Sequence, residues 1–264
     1  MPSPSYLLEE DIAMVDAAPK LKIGRPRALL ANRTHFCPGC GHGVVHRILA
    51  EIIDEWDLRD SCIGMAPVGC AVLAYQYLDI DMCEAAHGRT PEVAAGIKRA
   101  RPDKLVFSYQ GDGDLAAIGT NEIVHVANRG EPISVLFINN AVYGMTGGQM
   151  APTTVPGQKT TTSPKGRSVM SEGYPIRVSE LLATLDKPAY IERCVIGTPK
   201  EIRRTKNAIK KSFRVQRDQK AFSLVEILSP CPTYWRVAPT KAMEYIEEWM
   251  EEIFPPGVIK DTTK

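Results

Sequence analysis

Two apolar runs, KLVFSYQ at residues 104–110 and ISVLFINN at residues 133–140, constrain this chain more than any other feature. Each has the length of a strand, and in each the apolar residues are consecutive rather than alternating. A strand that is apolar on both faces must be covered on both, which points to a parallel sheet packed between helices. The intervening segments agree. GVVHRILAEIIDEW places Val44, Val45, Ile48, Leu49, Ile52, Ile53 and Trp56 on one helical face. Cys62–Met65 is a further short apolar run. CEAAHGRTPEVAAGIKRARP passes from a strand end into a helix opening at Pro91. LAAIGTNEIVHVANRG reads as a helix stopped by Gly130. AYIERCVIG and FSLVEIL are two more strands, separated by a helix over 199–217, and TKAMEYIEEWMEEIF is a closing amphipathic helix. Strand and helix alternate, so the expected fold class is α/β, a mostly parallel central sheet with helices on both faces.

A length of 264 residues suits one large domain with a substantial core. Residues 1–34 read as an N-terminal extension of weak periodicity, 35–240 as the domain, and 241–264 as a C-terminal helix and tail. A net charge of +1 gives no overall field that would draw nucleic acid or a membrane surface. No segment approaches 18 apolar residues, so no membrane span is expected. The start, MPSPSYLLEEDIAMVDAAPK, carries early acids and no long apolar stretch, unlike a secretory signal. A cytoplasmic location is the expectation. In that reducing setting seven cysteines, an odd number, read as core residues or metal ligands rather than disulfides.

QGDGD and NNAVYG fall at the carboxyl ends of the two strands, where open α/β sheets bind ligands. Gly111 and Gly113 allow a ligand close to the backbone. The helix beyond Asp114 offers free N–H groups suited to phosphate. A carboxylate beside phosphate is repulsive unless a cation bridges them, and Mg²⁺ takes carboxylate, amide, backbone and phosphate oxygens together. Asp112, Asn140 and the Val142 carbonyl could supply the protein's share. The competing reading is a plain strand–turn–helix junction with Asp114 as an N-cap. Cys37 and Cys40 form a CPGC pair within chelating reach of one centre, and a four-cysteine site needs two further ligands. No second C-x-x-C exists, which argues against a zinc ribbon. A redox-active pair of the thioredoxin kind is the other possibility for Cys37 and Cys40. Cys62, Cys83 and Cys194 sit in apolar runs and read as small core residues.

Taken in order, FCPGCGHG, PVGCA, AAHGRTPEVAAGIK, GDGD, NNAVYGMTGGQMAPTT and LSPCPTYW resemble the β subunit of 2-oxoacid:ferredoxin oxidoreductases over about residues 33–240. The stretch from GDG to NN resembles the thiamine diphosphate motif. The resemblance implies a thiamine diphosphate-binding fold in which Asp112, Asn140 and the Val142 carbonyl hold Mg²⁺. Val68, Gly69, Cys70, Ala71, His87, Gly111, Gly113, Asp114, Gly144 and Met145 would line the cofactor. It selects Cys70 and Cys231 to join Cys37 and Cys40 around a [4Fe–4S] cluster. It implies oxidative decarboxylation of a 2-oxoacid, capture of the acyl group by coenzyme A, and passage of electrons to ferredoxin. The chain has one diphosphate motif and no length for a second domain of similar size, so the activating glutamate is expected on a separate α subunit of the pyrimidine type. It also lacks the C-x-x-C-x-x-C runs of a ferredoxin-like domain, so further clusters would sit on γ or small δ subunits. The stretch from Asn139 to Arg167 is most similar to the 2-oxoisovalerate and 2-oxoglutarate branches, with 2-oxoisovalerate favoured and pyruvate also open. A non-oxidative thiamine diphosphate decarboxylase or synthase subunit would leave the four cysteines without a role. A zinc-stabilised, non-catalytic binding protein would have no need of Asp112.

Two segments carry less pattern. GMTGGQMAPTTVPGQKTTTSPKGRS is long and aperiodic, so a lid, a docking loop or plain disorder are its readings, with Gly147–Gly148 as a possible hinge. TPKEIRRTKNAIKKSFRVQRDQK is strongly basic. A solvated face is the simplest reading, and a dock for acidic ferredoxin or for coenzyme A phosphates the functional one.

Overall fold

The computed structural model describes residues 24–263, so most of the expected N-terminal extension lies outside the described residues. Seven strands form one sheet: β1 Cys62–Ala66, β2 Asp81–Glu84, β3 Leu105–Gly111, β4 Ser134–Asn139, β5 Tyr190–Val195, β6 Ser223–Leu228 and β7 Gly257–Asp261. Their order is β2-β1-β3-β4-β6-β5-β7. Every pairing is parallel except that of β5 with β7. Each residue of β4, β5 and β6 is buried, the charged Glu192, Arg193 and Glu226 among them, while the edge strands β2 and β7 are half-exposed.

Helices α1 His42–Glu55 and α5 Pro199–Arg214 cover one face, packing Val45, Leu49, Ile53, Ile209 and Phe213 onto Phe107, Tyr109, Leu136 and Val225. On the other face lie α2 Thr90–Ala100, α3 Thr120–Arg129 and α4 Val178–Ala183, with Ala94, Ile123, Val126 and Leu182 against Val106, Val135, Phe137 and Leu224. Successive strand residues thus feed opposite cores. A third cluster sits at the carboxyl end of the sheet. There the helical residues 239–253 bring Ile246 and Met250, followed by Phe254, against Ala141, Val142, Leu228 and Trp235.

TPKE starts α5 as its sequence suggests. Thr198 is the N-cap, Pro199 follows it, and Glu201 reaches back to the Thr198 N–H at 2.6 Å. Most cations of this helix are engaged. Lys206 meets Glu51 and Glu55, Lys210 meets Glu55, Lys211 meets Asp261, and Arg204 meets Glu192. The basic face is therefore largely a set of ties to α1, β5 and β7.

Three features depart from the sequence reading. The segment read as one helix from Leu115 is split: a wide turn spans Gly113–Ile118, closed by Gly119 N–H on the Asp114 carbonyl at 2.9 Å, and α3 follows. Gly119 is required there, since a Cβ would lie 2.5 Å from the Asp114 carbonyl oxygen and 2.8 Å from that of Gly88. Second, β7 follows the closing helix; its half-exposed residues carry no clear strand pattern. Third, Cys83 is half-buried on the edge strand β2, whereas Cys62 and Cys194 lie in the core.

Candidate active site

The chain runs from β1 outward to β2 and then returns to β3 on the opposite side of β1. Such a reversal leaves a crevice beyond the carboxyl ends of the strands. A cavity of about 260 Å³ opens there. Val68, Gly69, Cys70 and Ala71 reach it from the end of β1, and His87 from beyond β2. Gly111, Asp112, Gly113 and Asp114 line it from β3, and Asn140, Val142, Gly144 and Met145 from beyond β4. Four loops widely separated in sequence thus bring every expected cofactor and Mg²⁺ position into one wall. His42, Ala117, Ile118, Tyr143 and Thr146 also line the cavity and were not anticipated. The Tyr143 ring lies against Gly113, where a Cβ would come within 2.8 Å of it.

Asp112 is buried at the tip of β3. Its Oδ1 accepts the Gly113 N–H at 2.8 Å, and its Oδ2 accepts the Thr153 hydroxyl at 2.8 Å and the Val142 N–H at 3.2 Å. Burial pushes its pKa up to about 6, against the pull of these donors. Asn140 Oδ1 accepts the same Val142 N–H at 3.3 Å. Between them Ala141 takes a left-handed φ of 59°, a strained conformation for a residue with a Cβ.

The carbonyls of this turn are engaged in all but one place. That of Asn139 accepts the Ser229 N–H and that of Asn140 the Trp235 indole N–H. The Ala141 carbonyl accepts the Thr154 hydroxyl and the Gln158 amide, and the Tyr143 carbonyl the Gly148 N–H. The Val142 carbonyl accepts no hydrogen bond among the described residues, although Val142 is buried. A buried carbonyl without a donor, beside a buried carboxylate with no Lys or Arg paired to it among the described residues, fits a site built for a hard cation.

Asp114 has a different position. Its Oδ1 accepts from His87 Nδ1 at 2.7 Å, the Gly88 N–H at 2.9 Å and the Val68 N–H at 3.4 Å. Its Oδ2 accepts from Gln110 at 2.6 Å and Thr90 at 3.4 Å. One carboxylate thus ties the loops after β1 and β2 to β3. It lines the cavity with its oxygens already taken, so an N-cap is too small a description of it.

At the cavity wall, Cys70 and Cys231 flank Gly144: a Cβ there would lie 3.1 Å from the Cys70 sulfur and 3.8 Å from that of Cys231. Cys37 and Cys40 share a turn closed by the Cys40 N–H on the Cys37 carbonyl at 3.1 Å. Its Gly39 packs on Pro232 and Pro239, next to the Cys231 loop. Burial, then the other cysteines, pushes the Cys70 thiol up to about 12. Burial and Cys37 push Cys40 up to about 11, and Cys231 is raised too, chiefly by burial. A backbone N–H from His42, Met145 and Tyr234 works the other way on Cys40, Cys70 and Cys231 respectively. Thiols that raise one another's pKa, each supplied with an N–H, fit a shared cationic centre. Among the described residues no three His, Cys, Asp or Glu side chains converge closely enough to hold a single ion.

A crevice at a strand reversal, with cation-ready oxygens at its floor, defines the diphosphate-holding α/β domain of thiamine diphosphate enzymes. The family described as thiamine pyrophosphate enzyme, C-terminal TPP binding domain, matches residues 65–227. The chain belongs to this family and, within it, to the 2-oxoacid:ferredoxin oxidoreductase subunits. Ketoisovalerate oxidoreductase subunit VorA of Methanothermobacter thermautotrophicus is 50% identical over 228 residues, 86% of this chain and 48% of its own length. 2-Oxoglutarate synthase subunit KorB of Methanocaldococcus jannaschii is 38% identical over 201 residues, 76% of this chain and 70% of its own. The chain thus spans about half the length of the ketoisovalerate relatives that it matches. In fold it is similar to 2-oxoglutarate:ferredoxin oxidoreductase from Magnetococcus marinus, with a TM-score of 0.73 at 24% identity over 93% of this chain and 87% of that one. Among the described residues no helix is long and apolar enough to cross a membrane.

Proposed function

We propose that this chain is the thiamine diphosphate- and [4Fe–4S]-holding β subunit of a 2-oxoacid:ferredoxin oxidoreductase. It acts in the coenzyme A-dependent oxidative decarboxylation of a branched-chain 2-oxoacid, with 2-oxoisovalerate the favoured substrate. The observation that carries the reading is the convergence of Asp112, Asn140 and the unengaged Val142 carbonyl in a cavity that also has Cys70 in its wall. Those three oxygens would hold Mg²⁺. Val68–Ala71, His87, Gly111, Gly113, Asp114, Gly144 and Met145 would line thiamine diphosphate. When bound there, the cofactor supplies the nucleophilic carbon and the electron sink that decarboxylation needs.

The chain's own groups prepare that site. Gly113 keeps the strand tip open beside the Tyr143 ring. Asp114 fixes His87 through Nδ1, and the other ring nitrogen makes no hydrogen bond among the described residues. Cys37, Cys40, Cys70 and Cys231 would carry the cluster at the edge of the cavity, where electrons leave singly. In balance, one 2-oxoacid, one coenzyme A and two oxidised ferredoxins give acyl-CoA, CO₂, two reduced ferredoxins and a proton.

The activating glutamate belongs to a pyrimidine-type α subunit, and a γ or small δ subunit would carry further clusters. That the relatives are named as subunits supports partner chains. The higher identity to a ketoisovalerate than to a 2-oxoglutarate subunit supports the substrate. A cytoplasmic enzyme is the setting. The test is anaerobic purification with co-purifying subunits, iron and sulfide analysis of this polypeptide, and dye reduction with a panel of 2-oxoacids. Four irons here and preferred turnover of 2-oxoisovalerate are expected. Absence of iron, or no reduction with any 2-oxoacid, would sink the reading.

A further inference from the structure

The aperiodic stretch that follows β4 is a strap around a single guanidinium. Arg167 is buried, and it donates only to backbone carbonyls. Its Nη1 reaches those of Ala151 at 3.4 Å, Pro152 at 2.9 Å and Thr154 at 2.7 Å. Its Nη2 reaches Glu172 at 3.2 Å and Tyr174 at 2.9 Å, and its Nε reaches Gly173 at 2.9 Å. Among the described residues no carboxylate accepts a hydrogen bond from it. A buried charge held by carbonyls alone needs all of them in place, so the ring of acceptors is a rigid unit.

Three of those carbonyls bracket Thr153, whose hydroxyl donates to Asp112 Oδ2 at 2.8 Å. The same segment holds the strained turn. Thr154 donates to the Ala141 carbonyl at 2.7 Å and Gln158 does so at 3.0 Å. Resting on the reading of Asp112 as a Mg²⁺ ligand, we propose that Arg167 and Thr153 are positioning residues. Arg167 locks residues 151–154, and Thr153, with the Gly113 and Val142 N–H groups, fixes the Asp112 carboxylate so that its remaining lone pair, on Oδ1, is held ready for a cation. Neither residue lines the cavity. Groups that orient a metal ligand from behind typically contribute about 10–100-fold to metal affinity.

The test is the Mg²⁺ concentration that half-saturates thiamine diphosphate binding, read by calorimetry on the full chain with its co-purifying subunits, together with the melting temperature without metal. Thr153→Val keeps the shape and removes the donor. It should raise the Mg²⁺ requirement about tenfold or more, with little change in melting. Thr153→Ser should restore the wild-type requirement. Arg167→Lys should raise it similarly, and adding Thr153→Val should raise it no further, because both act through one contact. Should Arg167→Lys not fold, the Val and Ser pair decides alone. Wild-type behaviour of Thr153→Val, equal defects in Val and Ser, or multiplying effects in the double variant would overturn the strap while leaving the cofactor reading intact. Thiamine diphosphate binding that ignores Mg²⁺ in the wild type, or survives Asp112→Ala unchanged, would overturn both.

Discussion

Replacing Asp112 by asparagine should weaken the holoprotein and, at neutral pH, relieve the metal-free one. In the metal-free chain, burial raises the Asp112 pKa from 3.8 to about 6. Between those values the unfolded chain has released the proton and the folded chain retains it, so folding stability falls as pH rises. The loss starts near pH 4, is complete above pH 6, and amounts to about 3 kcal/mol. Asparagine does not titrate. It has one acceptor oxygen where the carboxylate has two, so it strands a donor near Gly113 or Val142 at a cost of about 1–3 kcal/mol. That cost is the same at every pH. The quantity to measure is therefore the difference between wild type and Asp112→Asn, by urea unfolding without magnesium, at several pH values from 4 to 8. Relative to wild type the variant should gain about 3 kcal/mol across that range, or roughly 6–12 °C in melting temperature. Added Mg²⁺ with thiamine diphosphate should reverse the order at pH 8 by stabilising only the wild type. A difference that stays flat with pH would refute the claim that burial outweighs the hydrogen bonds of this carboxylate and raises its pKa.

Other perturbations separate the parts of the site. Cys231→Ser should lower iron content while Mg²⁺-dependent thiamine diphosphate binding persists, which metal analysis and calorimetry on one preparation can check. Gly144→Ala places a Cβ 3.1 Å from the Cys70 sulfur; iron retention should fall, with a melting change worth about 1–3 kcal/mol. Glu226→Ala removes one of the two carboxylates that hold fully buried Arg193, 2.8 Å away, while Glu180 keeps its contacts at 2.6 and 2.8 Å. It should cost about 1–3 kcal/mol in urea unfolding. It should also loosen Asn139, whose amide donates to the same carboxylate at 2.8 Å.

The sheet was legible because its central strands are apolar on both faces, and nothing but double coverage satisfies such a run. The strand tips were legible because glycine, acid and amide are unusual at the end of a buried strand. What escaped was whatever depends on distant segments meeting. Asp114 reads locally as a helix cap, and its five donors come from Val68, His87, Gly88, Thr90 and Gln110. His42 lines the cavity from a helix whose apolar spacing already accounts for its burial. Thr153, Thr154, Gln158 and Arg167 belong to a segment without period, where carbonyl acceptors leave no mark in the residue types. β7 escaped because a half-exposed edge strand needs little apolar character.

On the proposed reading, a cluster on the four cysteines would have a mechanical consequence as well as an electronic one. Cys37 precedes the first helix of the sheet domain and Cys231 follows its last parallel strand. A cluster bridging them would bind the two ends of the domain as a covalent staple does, closing a very long loop and depriving the denatured chain of much of its freedom. Oxygen damage to the iron would then cut that tie along with the electron path. The inactivated polypeptide should be a softer target for proteases, so that loss of catalysis and clearance of the spoiled chain follow from one event.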